Sequence, residues 1–217
     1  MKVSKNTLFY ILGIVVISIC VISSIITIIN HPYKYKKSSV ESTAESIIRE
    51  SELQYFATKS ELVNAVQNYI DSIAPTSDLR ASILVDGCEK YSIDIKFVLA
   101  QGEIESHFGT KGLASKTNSV WNVGAYTDMT LSEILKKYKY AHPNESIEPY
   151  LKLLSTKYLV KDVEEGLLNN FVDIHGNRFA EDKHYEERLR FKYKSLCNTK
   201  IDSLQDKTRY WAIKSNR

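Results

Sequence analysis

The chain has no basic block beyond "KYKK", no run of alternating valine, isoleucine and threonine, no internal repeat, and only three cysteines. Each absence excludes something. Lysines and acids are interleaved to a formal net charge of +3, so the electrostatic footprint of a nucleic-acid binder is missing and nucleic acid is not expected as a partner. Without strand-type alternation no extensive sheet is expected. His142, His175 and His184 are scattered and have no cysteine partners at ligand spacing; neither a metal nor another cofactor is expected. Cys88 and Cys197 could pair in an oxidising compartment, or persist as thiols in a reducing one.

Charge is also absent from Leu8 to Ile29, "LFYILGIVVISICVISSIITII". At helical rise this run is long enough to cross a hydrocarbon core of about 30 Å. A cleaved signal peptide would have a shorter apolar run and a small-residue site after it, which "ITIINHPYK" lacks. Cys20 follows Ile19, where a lipoprotein cleavage site needs a small residue, so Cys20 reads as a packing or lipid-facing side chain. The expected organisation is a cytoplasmic tail at 1–7, a transmembrane helix at 8–29, a polar stalk or frayed helix at 30–57, and a domain at 58–217. Lys2 and Lys5 on one side nearly balance Lys34, Lys36 and Lys37 on the other, so the flanking charges barely vote on orientation. The short basic run beside the membrane suits phosphate headgroups.

The domain reads as mostly α. "KSELVNAVQNYIDSIA" places Leu62, Ala65, Val66, Tyr69, Ile70 and Ile73 at threes and fours, with Ser60 as cap and Pro75 as stop. "TSDLRASILVDGCEKY" repeats the pattern with Ser77 or Asp78 as cap, and a third helix opens at Asp94. "LSEILKKYKY", "SIEPYLKLLSTKYL", "VEEGLLNNF" and "HYEERLRFKYKSL" supply further helical segments.

The third helix carries two glutamates one residue apart, in "LAQGEIESHFGTKG". At about 100° per residue, Phe97, Ala100, Ile104 and Phe108 fall on one side with Gln101 among them. Glu105 lies at the flank of that apolar face. A carboxyl half-enclosed by apolar groups has its charged form disfavoured and holds a proton to higher pH, which suits an acid catalyst. Glu103 falls on the far side and is expected as a solvated charge, paired at most with Lys96 or Lys111. His107, beside the acid, is placed for a helix-end hydrogen bond.

The stretch "FVLAQGEIESHFGTKGLASKTNSVWNVG" resembles the peptidoglycan N-acetylglucosaminidases of glycoside hydrolase family 73, the autolysin and flagellar muramidase type. Their motif reads A-Q-x-x-x-E-S-x-W/F-G, then L-A, then N-N-L-F-G. Ala100, Gln101, Glu105, Ser106, Phe108 and Gly109 match the first part, Leu113 and Ala114 the middle, and Asn118, Val120 and Trp121 the last. "GNRFAEDKHYEERL" is similar to the family's G-Y-A-T-D-x-x-Y-A-x-K-L, with Gly176, Ala180, Asp182, Tyr185 and Leu189 in register. The resemblance covers roughly residues 60–196. It aligns Glu105, not Glu103, with the general acid. Two departures stand out. Phe179 replaces a tyrosine, keeping the ring and losing the hydroxyl, and the family's F-G-I-K reads Trp121, Asn122, Val123, Gly124.

What the resemblance implies is a lysozyme-like helical domain whose second lobe is short, the segment from Gly124 to Ser146 being brief. It implies a membrane-anchored endo-β-N-acetylglucosaminidase cutting peptidoglycan glycan strands, its domain on the wall side of the membrane and its N-terminus in the cytoplasm. Gln101, Phe108, Asn118, Trp121, Tyr126, Phe179 and Tyr185 are the candidate substrate contacts, although Trp121 suits the core equally. Glycoside cleavage needs a partner to the acid. Asp128, directly after the motif, is the candidate, while Glu133 reads as a helix cap and Glu145 and Glu148 as complements to a helix start. The sugar's own 2-acetamido oxygen could replace a second acid. Two alternatives remain open: a lytic transglycosylase or lysozyme of the same superfamily, and a non-catalytic glycan-binding component of a secretion apparatus or virion. The lysine, isoleucine and asparagine bias suits an AT-rich genome, bacterial or phage.

Overall fold

The computed structural model describes residues 43–124, 129–159 and 164–215. The expected tail at 1–7, the apolar run at 8–29 and the first part of the stalk lie outside them. Among the described residues no helix is long and apolar enough to cross a membrane.

Helix α1 is continuous over the described residues 43–73 and ends just before Pro75. Proline cannot donate a backbone hydrogen bond and disfavours helical geometry in the residue before it. The expected domain start at 58 and the expected cap at Ser60 both fall inside this helix. The reason is that the apolar stripe does not stop there. Ser51, Tyr55, Thr58, Leu62, Val66 and Ile70 are all buried, at steps of three and four that keep them on one face. Tyr55 also donates to Glu89 Oε1 at 2.6 Å, and Lys59 bridges Asp86 and Glu89 at 2.7 and 2.6 Å.

Helix α2, Ala81–Lys90, has Arg80 at its N-cap and no side-chain cap of its own. Its first N–H donates instead to Gln67 Oε1 of α1 at 2.9 Å. Ser77, one of the two residues expected as that cap beside Asp78, accepts from Leu79 N and donates to Phe108 O. Gly87 lets α2 approach the later helix α6, Ile147–Leu153; a Cβ there would lie 2.5 Å from Leu151 Cδ1.

Helix α3, Ile95–Ser106, opens at Asp94 as expected, the carboxylate accepting from Lys96 N at 2.9 Å. It is buried nearly all round, with Phe97, Val98, Leu99 and Ala100 wholly enclosed, the mark of a helix at the centre of a fold. This overturns the reading of Glu103 as solvated: it is 6% exposed, accepts from the Tyr69 hydroxyl at 2.5 Å and is ion-paired with Lys192. Lys96 is likewise buried, bonded to Asp202 at 2.5 Å and Asp94 at 3.2 Å. Charges at this depth persist because each meets an opposite charge or a donor.

Around α3 stand α4 (Ala114–Thr117), α5 (Leu131–Lys137), α6, a π-turn at Leu154–Tyr158, α7 (Glu164–Leu167), α8 (Tyr185–Leu196) and α9 (Lys200–Lys214). Thr130 and Glu133 form a reciprocal cap on α5, so Glu133 serves the helix start as expected. Helix α9, not anticipated from the sequence, buries Ile201, Leu204, Gln205 and Thr208. The described residues hold no strand, only an isolated antiparallel bridge between Val172 and Arg178. The fold is mostly α. Cys88 and Cys197 do not form a disulfide with each other.

Candidate active site

The site is built on the last turn of α3. His107 adopts a left-handed conformation, and the amides of His107 and Phe108 return to Glu103 O and Gly102 O, closing the helix two residues after Glu105. Phe108 then turns inward rather than toward a groove: it is fully buried, edge-on to Tyr69 at 6.1 Å, and rests against Gly102, where a Cβ would meet its ring at 3.0 Å. Ser106 ties this corner to the loop that follows α4, donating to Val120 O at 2.7 Å and accepting from Gly109 N at 2.8 Å.

That loop is anchored by Trp121, whose indole N–H donates to Val98 O at 3.3 Å and whose ring stacks on Tyr150 at 4.3 Å. At 1% exposure Trp121 is a core residue with no face for a ligand. Asn118, left-handed at the end of α4, directs its amide to the carbonyls of Tyr140 and Ala141. Its side chain holds the loop and does not reach the acid.

Three of the sequence-derived residues do come together. The Tyr185 hydroxyl, at the first turn of α8, donates to Glu105 Oε1 at 2.6 Å. The Tyr185 hydroxyl oxygen in turn accepts from Gln101 Nε2 at 2.8 Å. Gln101 is fully buried, and its Oε1 accepts from the Tyr150 hydroxyl. The donors run one way: Tyr150 to Gln101, Gln101 to Tyr185, Tyr185 to Glu105. Burial pushes both tyrosine hydroxyls well above their ordinary range, which keeps them protonated and able to donate.

Glu105 itself is partly exposed. Desolvation raises its pKa above the ordinary carboxylate value; hydrogen bonds from Tyr185 and Asn122 and the charge of Arg188 oppose the rise without cancelling it. Its place at the C-terminal end of a helix, where backbone carbonyls concentrate negative charge, acts in the same direction as burial. The result is an accessible acid with a fixed oxygen, able to deliver a proton to an ether oxygen.

Phe179 joins this edge, stacked on Phe171 at 4.4 Å and tilted against Tyr185 at 5.8 Å, with part of its surface exposed. Asp182 accepts from His184 N and pairs with Arg188 at 2.6 Å, fixing the entry to α8. Asp128 and Tyr126 lie outside the described residues. Tyr150 and Asn122 were not anticipated; neither carries a signal of its own, since one sits in an ordinary helical pattern and the other in a short loop. Among the described residues no group of three or more His, Cys, Asp or Glu is placed to hold a metal. A cleft of about 580 Å³ between α1, α2 and α9, lined by Leu62, Val85, Cys88, Ile93 and Ile213 among others, shares no residue with the acid's surroundings.

No curated protein and no solved structure gives a significant match to the chain. A family model does: glucosaminidase, described as mannosyl-glycoprotein endo-beta-N-acetylglucosaminidase, matches residues 81–198, from α2 through α8 and across every contact of Glu105 described above. The chain belongs to the glucosaminidase family and is a glycoside hydrolase acting on glycan.

Proposed function

We propose that the chain is a membrane-anchored endo-β-N-acetylglucosaminidase that hydrolyses the glycan strands of bacterial peptidoglycan, with Glu105 as general acid. The observation that carries this reading is the half-buried Glu105 carboxyl, raised in pKa and oriented by the Tyr150–Gln101–Tyr185 relay.

In this reading protonated Glu105 delivers its proton to the glycosidic oxygen as the bond to the anomeric carbon breaks. The positive charge that develops there is met by a second group: Asp128 from the loop after the motif, or the 2-acetamido oxygen of the substrate. Ionised Glu105, stabilised by the Tyr185 donor, then takes a proton from water, whose oxygen ends on the anomeric carbon as the new reducing-end hydroxyl. Gln101 acts through Tyr185 and does not touch the sugar. Phe179 and Tyr126 offer ring faces to the strand, Phe179 without the hydroxyl that the related tyrosine carries. The short segment between Gly124 and Ser146 makes the second lobe of the lysozyme-like cleft a small one.

Residues 8–29 anchor the domain, with Met1 inside and the domain on the wall side, since long domains translocate largely regardless of flanking lysines. The test is mass analysis of fragments released from purified sacculi. Reducing N-acetylglucosamine ends support the proposal; 1,6-anhydro ends would replace it with transglycosylation, and no fragments with a glycan-binding role.

A further inference from the structure

Tyr150 is fully buried, and its hydroxyl donates to Gln101 Oε1, the acceptor it meets among the described residues. Its ring stacks on Trp121 at 4.3 Å with the two planes 4° apart. The residue comes from α6, whereas the acid stands on α3 and its donor Tyr185 on α8.

Between its two hydroxyls, the Gln101 side chain could lie either way round, because an amide offers an acceptor at one end and a donor at the other in nearly the same shape. The two orientations ask different things of Tyr185. With Nε2 toward Tyr185, at 2.8 Å, the Tyr185 oxygen accepts and its one hydrogen is left for Glu105 Oε1, at 2.6 Å. Turned over, Gln101 Oε1 would face Tyr185 and compete with the carboxyl for that hydrogen. Tyr150 decides between them. Turning the amide over would set Nε2 against the Tyr150 oxygen and leave the Tyr150 hydrogen buried without an acceptor, an arrangement that native interiors rarely hold.

We propose that Tyr150 is a positioning residue for the general acid, its hydroxyl locking the Gln101 amide in the orientation that commits the Tyr185 hydrogen to Glu105 Oε1. The proposal rests on Glu105 as the acid. With Oε1 held as an acceptor, the neutral carboxyl carries its own hydrogen on Oε2, so one oxygen presents the transferable proton in every turnover. Oε1 keeps its donor once that proton has left. Tyr150 acts only through Gln101 and Tyr185. Asn122 and Arg188 also bear on the carboxyl, and the Cys88 thiol of α2 on Tyr150; all three are kept when the Tyr150 oxygen is removed.

The test uses the full chain on solubilised glycan strands, with kcat and KM measured against pH per folded molecule for the parent, Tyr150→Phe, Tyr185→Phe, the double variant, Gln101→Met and Glu105→Gln. Tyr150→Phe keeps the ring on Trp121 and frees the amide to turn. Its kcat should fall about three- to tenfold, the worth of one weakened hydrogen bond, with KM little changed and the alkaline limb of the pH profile moved upward. In the Tyr185→Phe background there is no hydrogen left to direct, so adding Tyr150→Phe should move neither kcat nor the limb further. Gln101→Met removes the rival acceptor together with the donor and should move the limb less than Tyr150→Phe does. A Tyr150→Phe protein with the parent's limb, an equal loss from Tyr150→Phe in both backgrounds, or a larger limb shift from Gln101→Met overturns the proposal and leaves the acid in place. An active Glu105→Gln protein overturns both.

Discussion

Tyr185 donates its hydroxyl hydrogen to Glu105 at 2.6 Å across a sequence separation of 80 residues. The contact joins the end of α3 to the start of α8, two helices that pack against each other. Tyr185 is almost wholly buried while Glu105 is not, so the donor is held by the core and the carboxyl is partly open to solvent.

Tyr185→Phe should lower kcat/KM while preserving the fold. The ring keeps its packing on Phe171 and Phe179, but Gln101 Nε2 loses its acceptor, at a cost of about 1–3 kcal/mol in stability. Removing a donor to the carboxylate raises the Glu105 pKa further, so the alkaline limb of kcat/KM against pH should move upward. A pH titration of initial rates on solubilised glycan strands checks this; an unmoved limb would show that the hydroxyl does not act on the acid.

Glu103→Gln should affect stability and leave chemistry alone. The carboxylate pairs with Lys192 and accepts from Tyr69, and its loss leaves both without a charged partner. The Lys192 side chain is 35% exposed, so solvent screens much of that loss; a decrease of about 1–3 kcal/mol in unfolding free energy is expected. Urea unfolding monitored by circular dichroism, beside activity per folded molecule, separates the two effects.

Glu105→Gln should be at least as stable as the parent near neutral pH. The folded pKa of Glu105 lies above its unfolded value, so between the two the native state binds more protons than the unfolded chain and stability falls as pH rises. The contribution of this group is fully present below the unfolded pKa and is lost as pH passes the folded one. Glutamine removes that dependence. Parent and variant Tm values compared across the mildly acidic to neutral range should diverge in the variant's favour; a variant markedly less stable at neutral pH would contradict the raised pKa.

The proposed topology predicts that protease added to intact spheroplasts removes the C-terminal domain and spares a short N-terminal fragment. From about Lys36 to Glu50, before α1 packs on the domain at Ser51, the chain reaches up to roughly 50 Å if extended and about half that as helix. Its described part, from 43, is helical, so the shorter reach applies there. Full protection of the domain would place it on the cytoplasmic side and remove peptidoglycan as its substrate.

Local chemistry was the legible part of the fold. Asp94 as a cap, Pro75 as a stop and the Thr130–Glu133 box each act within a few residues of themselves, and each stands where the sequence put it. Contacts between distant segments were not legible. The Gln67 side chain that satisfies α2, and the Tyr69 and Lys192 groups that hold Glu103, belong to other helices. The helical wheel failed at Glu103 because it presumes one solvent face, and α3 has almost none. The buried spacing of Ile201, Leu204 and Thr208 in α9 was present in the sequence but diluted by surrounding charges. At the site, Glu105 came from both the helical wheel and the motif resemblance and Tyr185 from the resemblance, while the place of Tyr150 beside them became visible only with the fold.

Fragment release from purified peptidoglycan by Glu105→Gln and Glu103→Gln proteins, followed by mass analysis, tests the central claim most directly. Glutamine keeps the shape of each side chain, removing the transferable proton at Glu105 and the paired negative charge at Glu103. Loss of a general acid typically costs about 10²–10⁴-fold in rate, so Glu105→Gln should release essentially nothing while Glu103→Gln, corrected for its folded fraction, matches the parent with reducing N-acetylglucosamine ends. Equal release by the two variants would contradict the assignment of Glu105 as the catalytic acid.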